Sequence, residues 1–229
     1  AGLEVIISFI FVTPRPKLSF EKEKIRKVIA RGKWLTAAGF FDYLFSQGDD
    51  VVVGRLLNTG SLGLYSVAYK VSTLPVTEVG EVFNKVTFPI YTKILNDSHR
   101  LKKAFLKILG TTSLLVVPFG AILFFFSREV VLLILGEQWL AADVVVKILA
   151  IFGVSRSLAK TANPLFLAAK KQEYITVVNF VSILGMGITI IPFIKFFGIV
   201  GAAWASLVGV ALSLPFIFYY TSRVIKLNY

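Results

Sequence analysis

The stretch GAAWASLVGVALSLPFIFYY, Gly201 to Tyr220, runs for twenty residues without a charged side chain. A helix of about 20 mostly apolar residues is long enough to cross the hydrocarbon core of a bilayer. A helix on the surface of a soluble protein would carry a polar stripe instead. The stretch therefore predicts a membrane-spanning helix, and the rest of the chain is interpreted with lipid as its solvent.

The overall composition agrees with this interpretation. Hydrophobic residues make up 56% of the chain, charged residues 17%, and the mean hydropathy is +0.76. Soluble domains are about 45–50% apolar and about 25% charged, so both values indicate a membrane protein. The chain contains no cysteine, which excludes disulfides, zinc–cysteine sites and thiol nucleophiles but does not identify a compartment.

Apolar segments predict an all-α fold, a polytopic transmembrane helix bundle of six spans. The predicted spans are residues 34–58, 64–92, 104–127, 141–169, 174–196 and 198–221. SRSLAKTAN interrupts the fourth, and the short run VVLLILG before it is interpreted as interfacial. We expect the end of a truncated transmembrane helix in 1–13, a basic cytoplasmic loop in 14–33, the six-helix bundle in 34–222 and a cytoplasmic tail in 223–229.

The net charge of +12 fits either a nucleic-acid binder or a membrane protein with basic cytoplasmic loops. Of the 25 lysines and arginines, 17 fall in one set of alternate loops, three fall on the opposite side and five lie inside the predicted spans. This asymmetry follows the positive-inside rule, and a nucleic-acid binder has no reason to alternate its charge in this way. We therefore expect a multi-pass protein with a cytoplasmic C-terminus and no nucleic-acid partner.

The loop 14–33 has two interpretations. Leu18, Ile25, Val28 and Ile29 fall toward one helical face, with basic residues opposite. Such a helix is typical of the membrane interface. A solvated basic linker explains the same residues equally well.

Charged residues inside the spans are the candidate functional residues. A charge at the bilayer centre costs about 3 kcal/mol on insertion scales, so of the neighbours Asp49 and Asp50 at least one must face a protein interior or a hydrated cavity. Asp42 lies two helical turns earlier on the same face. Structural packing of Asp49 and Asp50 is the competing interpretation.

The other interior charges lie on two more helices. In the second span Lys70, Glu78, Glu81 and Lys85 share one broad face. In the fourth span Asp143–Lys147 and Arg156–Lys160 have i,i+4 spacing. We interpret Glu81–Lys85 and Asp143–Lys147 as structural salt bridges. Arg156 and Lys160 repel each other and have no obvious local counter-ion, which favours an anionic partner or a water-filled lumen about as strongly as a structural role.

Enzyme signatures are weak. His99 is the single histidine, so no histidine metal pair or histidine relay is available, and no Walker loop occurs. Gly201, Ala205, Gly209 and Ser213 recur every four residues, which predicts a small-residue face for close helix packing. We expect no catalytic residue, no metal and no cofactor.

Four blocks carry a family resemblance: DDVVVGRLLNTGSLGLYSVAYKVSTLP, FPIYTKI, LGEQW and FGIVGAAWASLV. Together they resemble the second half of the Wzx-type polysaccharide flippases of the MOP superfamily. The resemblance implies the second bundle of a MATE-like two-bundle transporter whose N-terminal bundle is missing here. It also implies the transfer of polyprenyl-diphosphate-linked oligosaccharide repeat units across a prokaryotic cytoplasmic membrane.

The resemblance also implies roles for the interior residues. The diphosphate and sugar would be held by Lys70, Lys85, Lys147, Arg156, Lys160 and Asn163. An ion gradient would be coupled through Asp42, Asp49, Asp50, Glu78 or Glu81. The expected partners are the lipid-linked oligosaccharide, membrane lipids, the missing bundle and polysaccharide polymerase machinery. Two alternatives stay open: a cation-coupled multidrug exporter of the same superfamily, and a non-catalytic membrane subunit of polysaccharide assembly.

Overall fold

The computed structural model describes residues 22–226. Within that range it does not describe the side chains of residues 22–25, 27, 28, 30, 31, 74–77, 79–85 and 226. The chain divides into two compact units, 1–33 and 34–229. The predicted end of a truncated helix in 1–13 and most of the predicted loop 14–33 lie outside the described residues. The candidate functional residues all belong to the second unit.

The regular structure of the described residues is entirely helical, as predicted. The helices are α1 (Lys22–Leu56), α2 (Thr59–Ile94), α3 (Ser98–Phe125), α4 (Ser127–Ile134), a 3₁₀ helix (Glu137–Ala142), α5 (Asp143–Lys160), α6 (Asn163–Ala168), α7 (Gln172–Phe197) and α8 (Ile199–Lys226). Four segments are long and apolar enough to cross a membrane: Ser98–Phe125, Glu137–Ala168, Gln172–Phe197 and Ile199–Ile225. The more highly charged α1 and α2 are not among these four, so the six-span count stays a prediction.

Helix α1 begins earlier than the predicted span. It runs unbroken from Lys22 through the residues assigned to a loop. These residues include no proline and are mostly good helix formers, so nothing local ends the helix at position 33. Residues 22–33 of the predicted loop are therefore helical.

The turn between α1 and α2 is shorter than predicted. The side chain of Asn58 accepts a hydrogen bond from the backbone N–H of Ser61 at 2.8 Å and caps the start of α2. Gly60 and Gly63 lie within the first turns of α2, whereas the predicted spans 34–58 and 64–92 leave them in the connection. An Asn cap satisfies an N–H group that the helix start leaves unpaired.

The predicted interruption of the fourth span is confirmed. Helix α5 ends at Lys160, and α6 begins at Asn163 with Pro164 in its first turn. Proline has no backbone N–H and clashes with the preceding turn of a continuous helix. The break therefore lies where the proline forces it, one turn after Arg156.

The buried apolar side chains form two separate core clusters. The first core cluster includes Phe45, Val53, Tyr65, Val131, Val145, Leu149, Phe152, Met186, Ile194 and Ala205. The second core cluster includes Ala38, Tyr91, Leu101, Phe105, Leu165, Phe166, Tyr174, Ile175 and Val224. Along α1 the clusters meet between residues 38 and 45, and a second meeting point lies between Phe152 of α5 and Ala162, just after that helix ends. These intervals contain the charged residues Asp42, Arg156 and Lys160.

The predicted small-residue face on α8 packs against α7. A Cβ atom added to Gly209 would lie 2.6 Å from the Ser182 carbonyl oxygen of α7 and 2.7 Å from the Phe45 ring of α1. Ala205 and Ser213 on the same face are buried. The face therefore sets how closely α8 approaches its neighbours.

We expect Gly209→Ala to lower the thermal unfolding midpoint of the purified full-length protein, because the α7 backbone cannot yield locally to the new methyl group. Overpacking of this kind typically costs 1–3 kcal/mol. Gly187→Ala on α7 is the matched control, since a Cβ atom there meets nothing within 4 Å. Equal melting of the two variants would contradict the close packing of α7 and α8.

Candidate functional site

Arg156 is a buried arginine between the two core clusters. Its side chain on α5 is 9% exposed. One terminal nitrogen donates to the Tyr69 hydroxyl at 2.7 Å, and the other donates to the Ser46 hydroxyl at 2.5 Å and to Asp42 at 3.1 Å. A charge removed from water is tolerated only when it is paired and hydrogen-bonded, and these contacts meet that requirement.

Two aromatic rings complete the surroundings of the guanidinium. The rings of Phe45 and Phe152 lie 5.3 and 5.7 Å from its central carbon. A cation within about 6 Å of a ring centroid is attracted to its negative face. Arg156 is therefore held by charge, hydrogen bonds and two aromatic faces, and its orientation is fixed by groups from α1, α2 and α5.

Asp42 on α1 joins the two cations of α5. One carboxylate oxygen pairs with Arg156 and the other with Lys160, each at 3.1 Å. The sequence indicated no local counter-ion for the two cations, and the counter-ion in the structure lies 114 residues from Arg156 and on another helix. Local spacing cannot reveal such a partner. We refer to Asp42, Ser46, Tyr69, Arg156 and Lys160 as the cation cluster.

A small cavity lies beside the cation cluster. Its volume is about 30 Å³, and polar lining residues include Asn163, Asn179, Ser182 and Ser213 together with the three charged residues of the cluster. Ser182 and Ser213 lie near the middles of α7 and α8, so the cluster lies at mid-height of these helices. That volume has room for one or two water molecules, and it is too small for a phosphorylated ligand.

Two larger hollows of about 250 and 280 Å³ carry no charged residue. The first lies between α3 and α5, and the second lies between α3, α5 and α8. Their linings are almost wholly apolar, so neither offers a group that would bind an anion. The cation cluster is the chemically distinctive part of the described bundle.

Asp49 forms a second buried polar contact on α1. Its side chain accepts from the Tyr65 hydroxyl of α2 at 2.7 Å, from the Ser206 hydroxyl of α8 at 3.2 Å and from the backbone N–H of Asp50 at 3.0 Å. The residue is 1% exposed, so it faces the protein interior, as the sequence argument requires of at least one of the two aspartates. Asp49 thereby links three helices.

Asp50 and the Asp143–Lys147 pair have local partners. The Ser66 hydroxyl of α2 donates to Asp50 at 2.9 Å. Lys147 pairs with Asp143 at 3.2 Å, as its spacing predicts, and Asp143 also accepts from Ser127 at the start of α4. Lys147 precedes Arg156 by nine residues, about 13 Å along a helix, and none of its described contacts reaches the cation cluster.

The remaining candidates differ in where the structure places them. Lys70 and Glu78 on α2 are exposed, and neither contacts a described residue of the cation cluster. The side chains of Glu81 and Lys85 lie outside the described residues. Asn163 lines the small cavity without a described hydrogen bond to the cluster. No group of three or more metal-binding side chains occurs among residues that the structure describes.

Sequence analysis missed several polar residues that hold the charges. Ser46 and Tyr69 contact Arg156, while Tyr65 and Ser206 contact Asp49. A signal was present for three of them: Ser46 lies four residues after Asp42, and Tyr65 and Tyr69 are also four residues apart. Polar residues at helical spacing inside an apolar span indicate a face turned toward other polar groups.

Comparison with known proteins identifies the family. Residues 1–144 match the family model described as polysaccharide biosynthesis protein. The lipopolysaccharide biosynthesis protein WzxC of Escherichia coli (strain K12) is 29% identical over 159 residues, 69% of this chain and 32% of the relative. An uncharacterized membrane protein in the cps region of Klebsiella pneumoniae is 29% identical over 211 residues, 91% of this chain and 42% of the relative.

The teichuronic acid biosynthesis protein TuaB of Bacillus subtilis (strain 168) is 25% identical over 158 residues, 69% of this chain and 33% of the relative. The chain thus spans about a third to two-fifths of the length of these relatives. No solved structure matches the chain. Because the family model covers more than half of these residues, and the helices have the length and apolar character of membrane spans, the chain is a multi-pass membrane protein that belongs to the polysaccharide biosynthesis protein family.

Proposed function

We propose that the chain is the second bundle of a flippase that moves polyprenyl-diphosphate-linked oligosaccharide repeat units across the prokaryotic cytoplasmic membrane. The observation that carries this proposal is the cation cluster, with an arginine and a lysine at mid-height of a bundle whose relatives act in polysaccharide biosynthesis. Interior cations in membrane helices are costly and mark substrate or ion pathways. The first bundle would come from the part of the relatives that this chain does not cover.

The chemistry of the two cations suits a diphosphate. A planar guanidinium presents paired N–H donors to phosphate oxygens, and a lysine ammonium adds a point charge. Arg156 uses three of its five N–H donors in the described hydrogen bonds, so donors are left for a ligand. Among the cationic candidates, Arg156 and Lys160 are the pair whose described side chains share a counter-ion, Asp42, and we assign Lys70, Lys85 and Lys147 supporting roles.

The acidic residues are proposed to couple transport to an ion gradient. Asp49 is the best placed, since its carboxylate is buried and contacts α2 and α8. Asp50, Glu78 and Glu81 complete the proposed set, and Asp42 belongs to it through its contact with both cations. The relatives' names do not favour the multidrug exporter or the assembly subunit.

We expect Arg156→Ala combined with Lys160→Ala to abolish export of surface polysaccharide when the full-length protein is supplied to a strain that lacks its own flippase. The two substitutions remove the groups that hold the diphosphate. Lys102→Ala combined with Lys103→Ala is the matched control, because it removes two exposed charges at the start of α3. Membrane protein levels are measured by immunoblot, and unchanged export by the Arg156/Lys160 variant would refute the anion-binding role.

We expect Asp49→Asn to stop transport while leaving the protein folded, because the amide oxygen still accepts from Tyr65 and Ser206 but the side chain no longer carries a charge. Tyr65→Phe is the counterpart, since it removes the hydrogen bond to Asp49 and keeps the carboxylate. Export and protein level are measured for both variants. A purely structural role for Asp49 predicts the reverse order, with Tyr65→Phe the more damaging.

The proposed orientation places the C-terminus and the α2–α3 turn in the cytoplasm. Because the chain has no cysteine, single cysteines at Asn96 and Arg128, both exposed, can report the two sides in a full-length protein freed of other cysteines. A membrane-impermeant maleimide added to intact cells should label Arg128→Cys and not Asn96→Cys. Labelling of Asn96→Cys from outside would contradict the orientation.

A further inference from the structure

We propose that Asp42 is an internal counter-anion that occupies the diphosphate site of Arg156 and Lys160 and must release both cations before a diphosphate binds. This inference rests on the proposed function. The two oxygens of Asp42 lie 3.1 Å from one nitrogen of each cation. They occupy the positions that two phosphate oxygens would take if a diphosphate bridged the same guanidinium and ammonium groups.

The space around the cation cluster requires such a release. The cavity of about 30 Å³ is lined by Asp42, Arg156 and Lys160 themselves, and a volume of that size holds one or two water molecules. A diphosphate carries two tetrahedral phosphate groups and does not fit beside the carboxylate. In this structure, Asp42 therefore closes the anion site formed by Arg156 and Lys160.

Asp42 is the component that is able to move. The guanidinium of Arg156 is buried and is held by Tyr69, Ser46 and two aromatic rings in addition to Asp42. The side chain of Asp42 is 35% exposed, and its described contacts are the two ion pairs. A change of its side-chain rotamer would break both ion pairs without moving the backbone of α1.

The backbone of α1 has its own attachment to the cluster. The Ser46 hydroxyl donates to the backbone carbonyl of Asp42 at 2.7 Å and accepts from Arg156. This contact does not involve the Asp42 carboxylate, so it persists when the carboxylate leaves. A phosphate could then accept from the Arg156 N–H group that Asp42 has left. It could also accept from the two N–H groups of Arg156 that have no described acceptor.

If Asp42 competes with the diphosphate, then Asp42→Asn should change the affinity of the purified full-length protein for a diphosphate ligand. The probe is geranyl diphosphate, with geraniol as the ligand that has the same tail and no charge. We expect geranyl diphosphate to bind Asp42→Asn roughly tenfold more tightly than the wild type, because the closed state no longer competes with the ligand. Asp97→Asn is the matched control: it also neutralises an ion-paired aspartate, here with exposed Arg100 at 3.2 Å, and keeps an Asn cap on α3.

The affinity is obtained from the rise of the thermal unfolding midpoint with increasing ligand concentration. This measurement also works for a variant that is less stable than the wild type. Loss of Asp42 leaves a buried arginine less compensated, so Asp42→Asn should melt below the wild type without ligand and gain more from geranyl diphosphate than the wild type does. An unchanged or weaker affinity in Asp42→Asn overturns the proposal. Equal stabilisation by geraniol overturns it as well, because the effect would then come from the tail.

A second measurement uses the wild-type protein and does not depend on any variant folding. Dicyclohexylcarbodiimide modifies carboxyl groups that it can reach, and peptide mass spectrometry locates the modified residue. We expect geranyl diphosphate to increase modification of Asp42, since the two cations no longer cover its oxygens, and to leave Asp97 unchanged. Unchanged or reduced modification of Asp42 overturns the proposal.

These results are separable from the test of the proposed function. If export requires Arg156 and Lys160 but Asp42→Asn binds geranyl diphosphate no better than the wild type, the flippase proposal stands and the counter-anion proposal fails. If neither the wild type nor Asp42→Asn binds the probe and export survives the loss of both cations, both proposals fail.

Discussion

The cost of keeping a guanidinium out of water constrains this bundle more than any other single interaction. Arg156 lies between two apolar core clusters, where an unpaired charge would be strongly destabilising. Its partners come from α1 and α2 as well as from its own helix. The arginine therefore fixes the register of three helices, because sliding any of them by one turn would remove a partner.

A second buried charge, Asp49, is also held by polar contacts, and these reach α8. Asp49 lies two turns along α1 from Asp42 and accepts hydrogen bonds from Tyr65 and Ser206. One face of α1 thus presents two carboxylates to the interior, while α7 and α8 pack against each other through small residues such as Gly209. Small residues thus set the packing of α7 on α8, while polar contacts link α1 to α2, α5 and α8.

The sequence predicted the helices well and the site only partly. Long apolar segments marked the helical elements, and Pro164 marked the break after α5, because these signals are local. The ion pair of Asp143 and Lys147 was predicted for the same reason, since one helix carries both residues. The partner of Arg156 was not found, because Asp42 is brought to it only by the packing of α1 on α5.

The direct interaction of Asp42 with Arg156 in the interior of the bundle can be measured by a double-mutant cycle on thermal or denaturant unfolding of the full-length protein. We expect Asp42→Asn and Arg156→Gln each to destabilise the protein, and the double variant to lose less unfolding free energy than the sum of the two by about 1–3 kcal/mol. Strict additivity of the two effects would contradict a direct interaction, because it would mean that neither side chain affects the stability contributed by the other.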